Sequence, residues 1–176
     1  NNMTERDFII RNLKIKQRAV FDMADLYKVM FRWFSRNNYD FQEKEYFEKA
    51  MGDGSEKHLE IAWLAYRKVS DYFKFRINIK FLIIGLKSTE IEVGDIKRKT
   101  NEGDLEMRFD AILERDYEGR FESNAVTKFF RDLYDKLIIR SRIEEYETQI
   151  HEETYELIGE IKAFLNLFKF QEIKPE

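Results

Sequence analysis

The sequence predicts an α+β domain in which a large antiparallel sheet packs against a long C-terminal helix. Three observations carry this. Residues 72–86 read YFKFRINIKFLIIGL, an apolar/basic alternation far longer than an ordinary strand of about 5–6 residues. Further alternating runs follow it, separated by short stretches that read as turns. From Asn124 the apolar period switches to that of a helix and holds to about Phe168.

The first element, residues 8–21, mixes Ile10, Leu13 and Ile15 with Arg11, Lys14 and Lys16 and reads as a strand, with a short helix as the alternative. Residues 22–37 read as a helix, because Met23, Leu26, Tyr27, Met30, Phe31 and Phe34 recur at three- and four-residue steps. Asp22 is placed to cap it, Asp25 suits its first turn, and Asn37-Asn38 suits its end. Residues 39–50 and 58–70 fit either period. Leu59, Ile61, Trp63 and Ala65 alternate as in a strand, whereas Leu59, Ala62, Trp63, Tyr66 and Val69 would line a helix. The Gly52-Asp53-Gly54-Ser55 turn between two segments of similar length favours a hairpin of strands.

In the long central strand Phe73, Phe75, Ile77, Ile79, Phe81 and Ile83 share one face, and Lys74, Arg76, Asn78 and Lys80 the other. A turn is expected at Lys87-Ser88, a short run at 90–93, a second turn at Asn101-Glu102-Gly103, and a last run through Leu105, Met107, Phe109, Ala111 and Leu113. Together these form an antiparallel meander. The helical C-terminal region should break near Arg140-Ser141-Arg142. Tyr146, Ile150, Leu157, Ile161 and Phe168 then mark one face, with several eleven-residue spacings that suit a straight helix lying on its own sheet.

This order of strand, helix, several antiparallel strands and a long final helix resembles the helix-grip arrangement of START-like and Bet v 1-like proteins. The resemblance lies in element order and in no residue motif. It implies a curved sheet around the last helix, with the intervening space available to an apolar small molecule.

A chain of 176 residues fits one domain and can bury roughly 70% of its unfolded surface. The domain is expected over residues 3–170, with Asn1-Asn2 ahead of Met3 as an added remnant and 171–176 as a frayed tail. Sixteen Phe, nine Tyr and two Trp imply a bulky core. The absence of cysteine removes disulfides, thiolate metal sites and cysteine nucleophiles. No secretory leader or apolar run of membrane-spanning length is visible, and a reducing, cytoplasmic setting is expected. The net charge of −3 is uneven, with a basic front and an acidic C-terminal third.

No motif assigns a chemistry, and no pattern calls for a cofactor or a metal. The two histidines, His58 and His151, lack the three convergent ligands a metal would want. For catalysis, the polar groups to consider are His58 beside a glycine-rich turn and Asp110 and Glu114 on the last strand; a charged ladder pairing those acids with Lys74, Arg76 and Lys80 is the competing reading. The acids of the last helix spread around it as solvent-facing residues do. Gly52-Asp53-Gly54-Ser55 lacks the lysine and spacing of a phosphate-binding loop. Lys97, Arg98 and Lys99, with Arg11, Lys14, Lys16 and Arg18, could contact single-stranded nucleic acid, but the acidic overall balance argues against it.

One departure from simple alternation stands out. Leu82, Ile84 and Ile112 are apolar on the register of the wet face, so something should cover them: the first helix through Phe31, Trp33 and Phe34, a second copy, or a protein partner. The expected function is therefore a non-enzymatic binding protein, taking an apolar ligand between sheet and helix or a partner on the sheet face. The alternatives are an enzyme with a polar cluster in that cavity, and a single-stranded nucleic-acid binder.

Overall fold

Five antiparallel strands in the order β1-β5-β4-β3-β2 form one sheet in the computed structural model, which describes residues 4–118, 124–137 and 140–168. The elements are β1 (Glu5–Phe21), α1 (Met23–Arg36), β2 (Asp40–Met51), β3 (Glu56–Lys68), β4 (Phe73–Val93), β5 (Ile96–Arg115), α2 (Ala125–Leu137) and α3 (Arg140–Leu165). Strands β2 to β5 are a meander, and β1 closes it by pairing with β5, so the first and last strands are neighbours. This leaves β1 and β2 at opposite edges. Helix α1 must carry the chain between them, across four strand gaps or roughly 19 Å, and its 14 residues give a rod of about 21 Å.

The Asp22 carboxylate caps α1 by accepting the Asp25 N–H at 3.1 Å. Leu26, Met30, Trp33 and Phe34 form its buried stripe, and they face the sheet and α3. The strand reading of 39–70 holds. Leu59, Ile61, Trp63 and Ala65 are all buried on one face of β3, and Gly52 and Gly54 supply the positive φ values (56° and 90°) that the β2–β3 turn requires.

The inner face of β4 buries Phe73, Phe75, Ile77, Ile79, Phe81 and Ile83 as the alternation predicts. They pack with Leu105, Met107, Phe109, Ala111 and Leu113 of β5 and with Ile150, Leu157, Ile161 and Leu165 of α3 in one continuous core. Truncating a residue such as Phe109, fully buried here, costs about 3–5 kcal/mol in a core of this kind.

Two expected turns are not turns. Strand β4 runs unbroken through Lys87-Ser88 to Val93, and Asn101-Glu102-Gly103 lies inside β5, with Asn101 paired to Ser88 and Glu102 to Lys87. The cause is a bulge: three steps along β4 from Ile84 to Lys87 match two along β5, and Gly85 absorbs the extra residue at φ 65°. Gly103 opposes the bulge, where a side chain would crowd the backbone. The real reversal is the two-residue Gly94-Asp95 turn, with Gly94 at φ 65° as the first central residue of such a hairpin requires.

Arg140-Ser141-Arg142, where a break was expected, are helical and form the first residues of α3; residues 138 and 139 lie outside the described residues. The tail from Lys169 and the first three residues lie outside the described residues.

Candidate functional site

The strict alternation of β4 and β5 places their charged residues together on the outer sheet face, opposite α1 and α3. Glu114 is buried there, with Arg6 Nε at 3.2 Å, Arg76 Nη1 at 3.3 Å and Lys74 Nζ at 3.4 Å. The expected cross-strand ladder therefore forms in part, between Glu114 and the Lys74 and Arg76 side chains, whereas Lys80 lies opposite Arg108 and not an acid. Asp110 has a different partner, accepting the backbone N–H of Asn12 at 2.7 Å.

His58 stands far from both acids. It meets Glu60 at 2.9 Å near the β2–β3 turn, at the level of Ile83 to Leu86, whereas Glu114 pairs with Lys74 at the other end of β4. Ten residues of strand separate the levels of Lys74 and Ile84, roughly 33 Å. Asp110 and Glu114 are themselves four residues apart on β5, about 13 Å. The three polar candidates do not converge. Among the described residues no group of three His, Asp or Glu side chains could hold a metal ion.

Of the tripeptide Lys97-Arg98-Lys99, only Arg98 makes an ion pair among the described residues. Lys97 and Lys99 lie opposite Glu92 and Glu90 in the β4–β5 ribbon, and Arg98 bridges to Asp25 of α1 at 3.1 Å.

The apolar trio Leu82, Ile84 and Ile112 is not covered by the first helix, which lies on the inner face with Trp33 and Phe34 in the core and Phe31 60% exposed. The helix's own apolar stripe, Leu26, Met30, Trp33 and Phe34, joins the inner-face core and leaves the outer face to the sheet. Ile112 is buried within the sheet face between its neighbours Phe8 and Arg76, and Leu82 is half-buried. Only Ile84 remains broadly exposed.

A larger apolar surface lies on α2. Val126, Phe129, Phe130, Leu133, Tyr134 and Leu137 recur at three- and four-residue steps and form one stripe. Phe129, Phe130 and Leu137 are 63%, 56% and 73% exposed. The flank beside the stripe holds the helix to the domain: Arg131 reaches Glu5 at 3.1 Å, and the ring of Tyr134, at the edge of the stripe, meets that of Tyr72 at 5.7 Å. The repeat was readable as a helix in the sequence, but which flank would be anchored was not.

Two polar clusters tie the inner face together. Glu153 on α3 accepts from Arg67 Nη2 at 2.7 Å and from the Tyr39 hydroxyl at 2.6 Å, while Arg67 also donates to the Asn37 carbonyl at 2.7 Å. Burial, reinforced by the Glu153 charge and hydrogen bond, raises the Tyr39 pKa far above its usual value. Glu43 on β2 accepts from the Trp63 indole at 2.9 Å and from the Tyr27 hydroxyl, whose pKa is raised first by burial and then by Glu43. Both clusters join neighbouring elements and are closed by their own hydrogen bonds. No helix among the described residues is long and apolar enough to cross a membrane. No family model, curated protein or solved structure matches the chain.

Proposed function

We propose that this protein is a non-enzymatic binding domain that docks a protein partner on the apolar face of α2. The observation that carries this reading is a stripe of six large apolar side chains held outward on one helix. Their combined exposed area is on the order of 600 Å², at the upper limit for the largest apolar patch on a typical monomer. The same area approaches the roughly 800 Å² per partner of a standard protein–protein interface. Aromatic residues at its centre are the side chains that dominate such contacts.

The exposed polar residues beside the stripe, Lys128, Asp132 and Lys136, mix both signs. A helix that lies on an anionic lipid surface carries a Lys/Arg-rich polar face instead, so the mixture favours a protein. An apolar small molecule between sheet and helix is less well supported, because Phe21, Trp33, Phe34, Phe75 and Phe109 fill that space. Separate positions for His58, Asp110 and Glu114 give the enzyme reading no assembled site.

A photo-crosslinking phenylalanine analogue placed at Phe129 in the native host should give a discrete heavier species. The same analogue at Phe31, equally exposed on α1, is the control. Equal yields at both positions, or none at 129, would contradict the proposal.

A further inference from the structure

A row of three cations crosses the middle of the outer sheet face. Arg108 of β5 lies directly opposite Lys14 of β1 on one side and Lys80 of β4 on the other. Like charges directly opposite one another on a sheet are destabilising, so the row works against the fold. One acid partly relieves it: Glu106 takes Lys14 at 3.0 Å and Arg108 at 2.7 Å. For Lys80 and Arg11 the described residues supply no ion-pair partner.

The row borders a cleft of about 470 Å³ lined by Phe8, Arg11, Asn12, Asn78, Lys80, Arg108 and Asp110. Two irregularities of β1, between Phe8 and Ile10 and between Ile10 and Leu13, open the strand at this point. Asn12 sits at φ 51°, a left-handed conformation uncommon outside glycine, and bulges of this kind re-aim side chains. Here the Arg11 guanidinium stacks on the Phe8 ring, 4.3 Å from its centroid. The acid in the cleft, Asp110, is engaged by the Asn12 N–H at 2.7 Å. Asn78 accepts from Arg76 at 3.0 Å through its oxygen, which leaves its amide N–H groups to donate.

We infer that this cleft binds a small phosphorylated ligand with a planar ring, of mononucleotide size. The phosphate lies on Lys80, Arg108 and the Asn78 amide, and the ring packs on the Phe8–Arg11 stack. Each part of the site matches one part of that ligand. The cations form charge-assisted bonds to phosphate oxygens, the stacked ring and guanidinium offer a planar apolar platform, and the volume lies in the range of small-molecule sites. The surroundings limit its length. Lys80 and Arg108 also line the next cleft, about 320 Å³, and there three carboxylates, Glu45, Glu60 and Glu106, outnumber the two cations and disfavour a continuing phosphate chain. A mononucleotide therefore fits better than a nucleic-acid strand.

The test is calorimetric titration and thermal melting of the intact protein with four probes: a panel of the ribonucleoside monophosphates, the matching nucleosides, inorganic phosphate, and a dT oligonucleotide. At least one monophosphate should bind and raise the melting temperature, with its nucleoside and inorganic phosphate at least tenfold weaker. Lys80→Gln and Arg11→Gln should each weaken that binding about tenfold or more. Without ligand, Lys80→Gln should melt at the same temperature as the wild type or above it, because it relieves the row of like charges. Three outcomes overturn the inference: no monophosphate bound at millimolar concentration, both variants binding as the wild type does, or the oligonucleotide bound more tightly than every monophosphate.

Discussion

Gly103 on β5 lies against Leu86 on β4 so closely that a Cβ at position 103 would stand 3.2 Å from the Leu86 Cα and 3.3 Å from Ile83 Cγ2. The contact is a consequence of the Gly85 bulge, which presses the β4 backbone toward its partner strand. Gly103→Ala should destabilise the fold by about 1–3 kcal/mol, the usual cost of overpacking. Urea denaturation checks it. An unchanged midpoint would mean that the two strands can separate by a few tenths of an ångström without loss.

Glu153 joins three elements through Arg67, Tyr39 and the Asn37 carbonyl that Arg67 holds. Its side chain and that of Arg67 are 14% and 15% exposed, so water compensates little for a lost partner. Glu153→Ala should cost about 2–4 kcal/mol, measured by chemical denaturation, because it leaves the Arg67 charge and the Tyr39 hydroxyl unpaired.

Acid should weaken the outer face. Hydrogen bonds from Arg108 first and Lys14 second hold Glu106 below its usual pKa, and Lys87 does the same for Glu102. A carboxylate depressed in the folded state contributes stability that is fully present above its unfolded value near about 4.3 and is lost as pH falls through the folded value. The thermal midpoint should therefore fall below about pH 4, and Glu106→Gln should flatten that limb of the profile. An identical limb in the variant would remove Glu106 from the explanation.

Alkali acts in the opposite sense on Tyr39. Its pKa is raised on folding, so its contribution is present below about pH 10, the ordinary tyrosine value, and is lost as pH rises beyond it. Ultraviolet titration of wild type against Tyr39→Phe should show one tyrosine that ionises only as the protein unfolds. Ionisation of all nine tyrosines before unfolding would contradict this.

Much of the sheet was legible in the sequence because parity is strict. Phe73 to Ile83 identified the inner face of β4, and Lys74, Arg76 and Glu114 met on the other as their register required. Glycine misled where its role was packing: Gly103 allows a close approach within a strand, yet in the sequence it resembles a turn. That α1 bridges the two edges of the sheet depends on strand order, which no local pattern reveals. The α2 surface was hidden for a similar reason. Its apolar stripe looks like any core-facing helix until Arg131 and Tyr134 are seen to anchor the adjoining flank.

The most direct measurement is native mass spectrometry of the protein purified from its own host, wild type beside Phe129→Asp/Phe130→Asp. Both residues are exposed, so the double variant should keep its thermal midpoint within about 0.5 kcal/mol of stability. The wild type should appear as a stoichiometric complex with a protein companion or a second copy, and the variant as the free chain. A wild type that is monomeric and free of protein, or a complex that survives both substitutions, would contradict a docking role for α2.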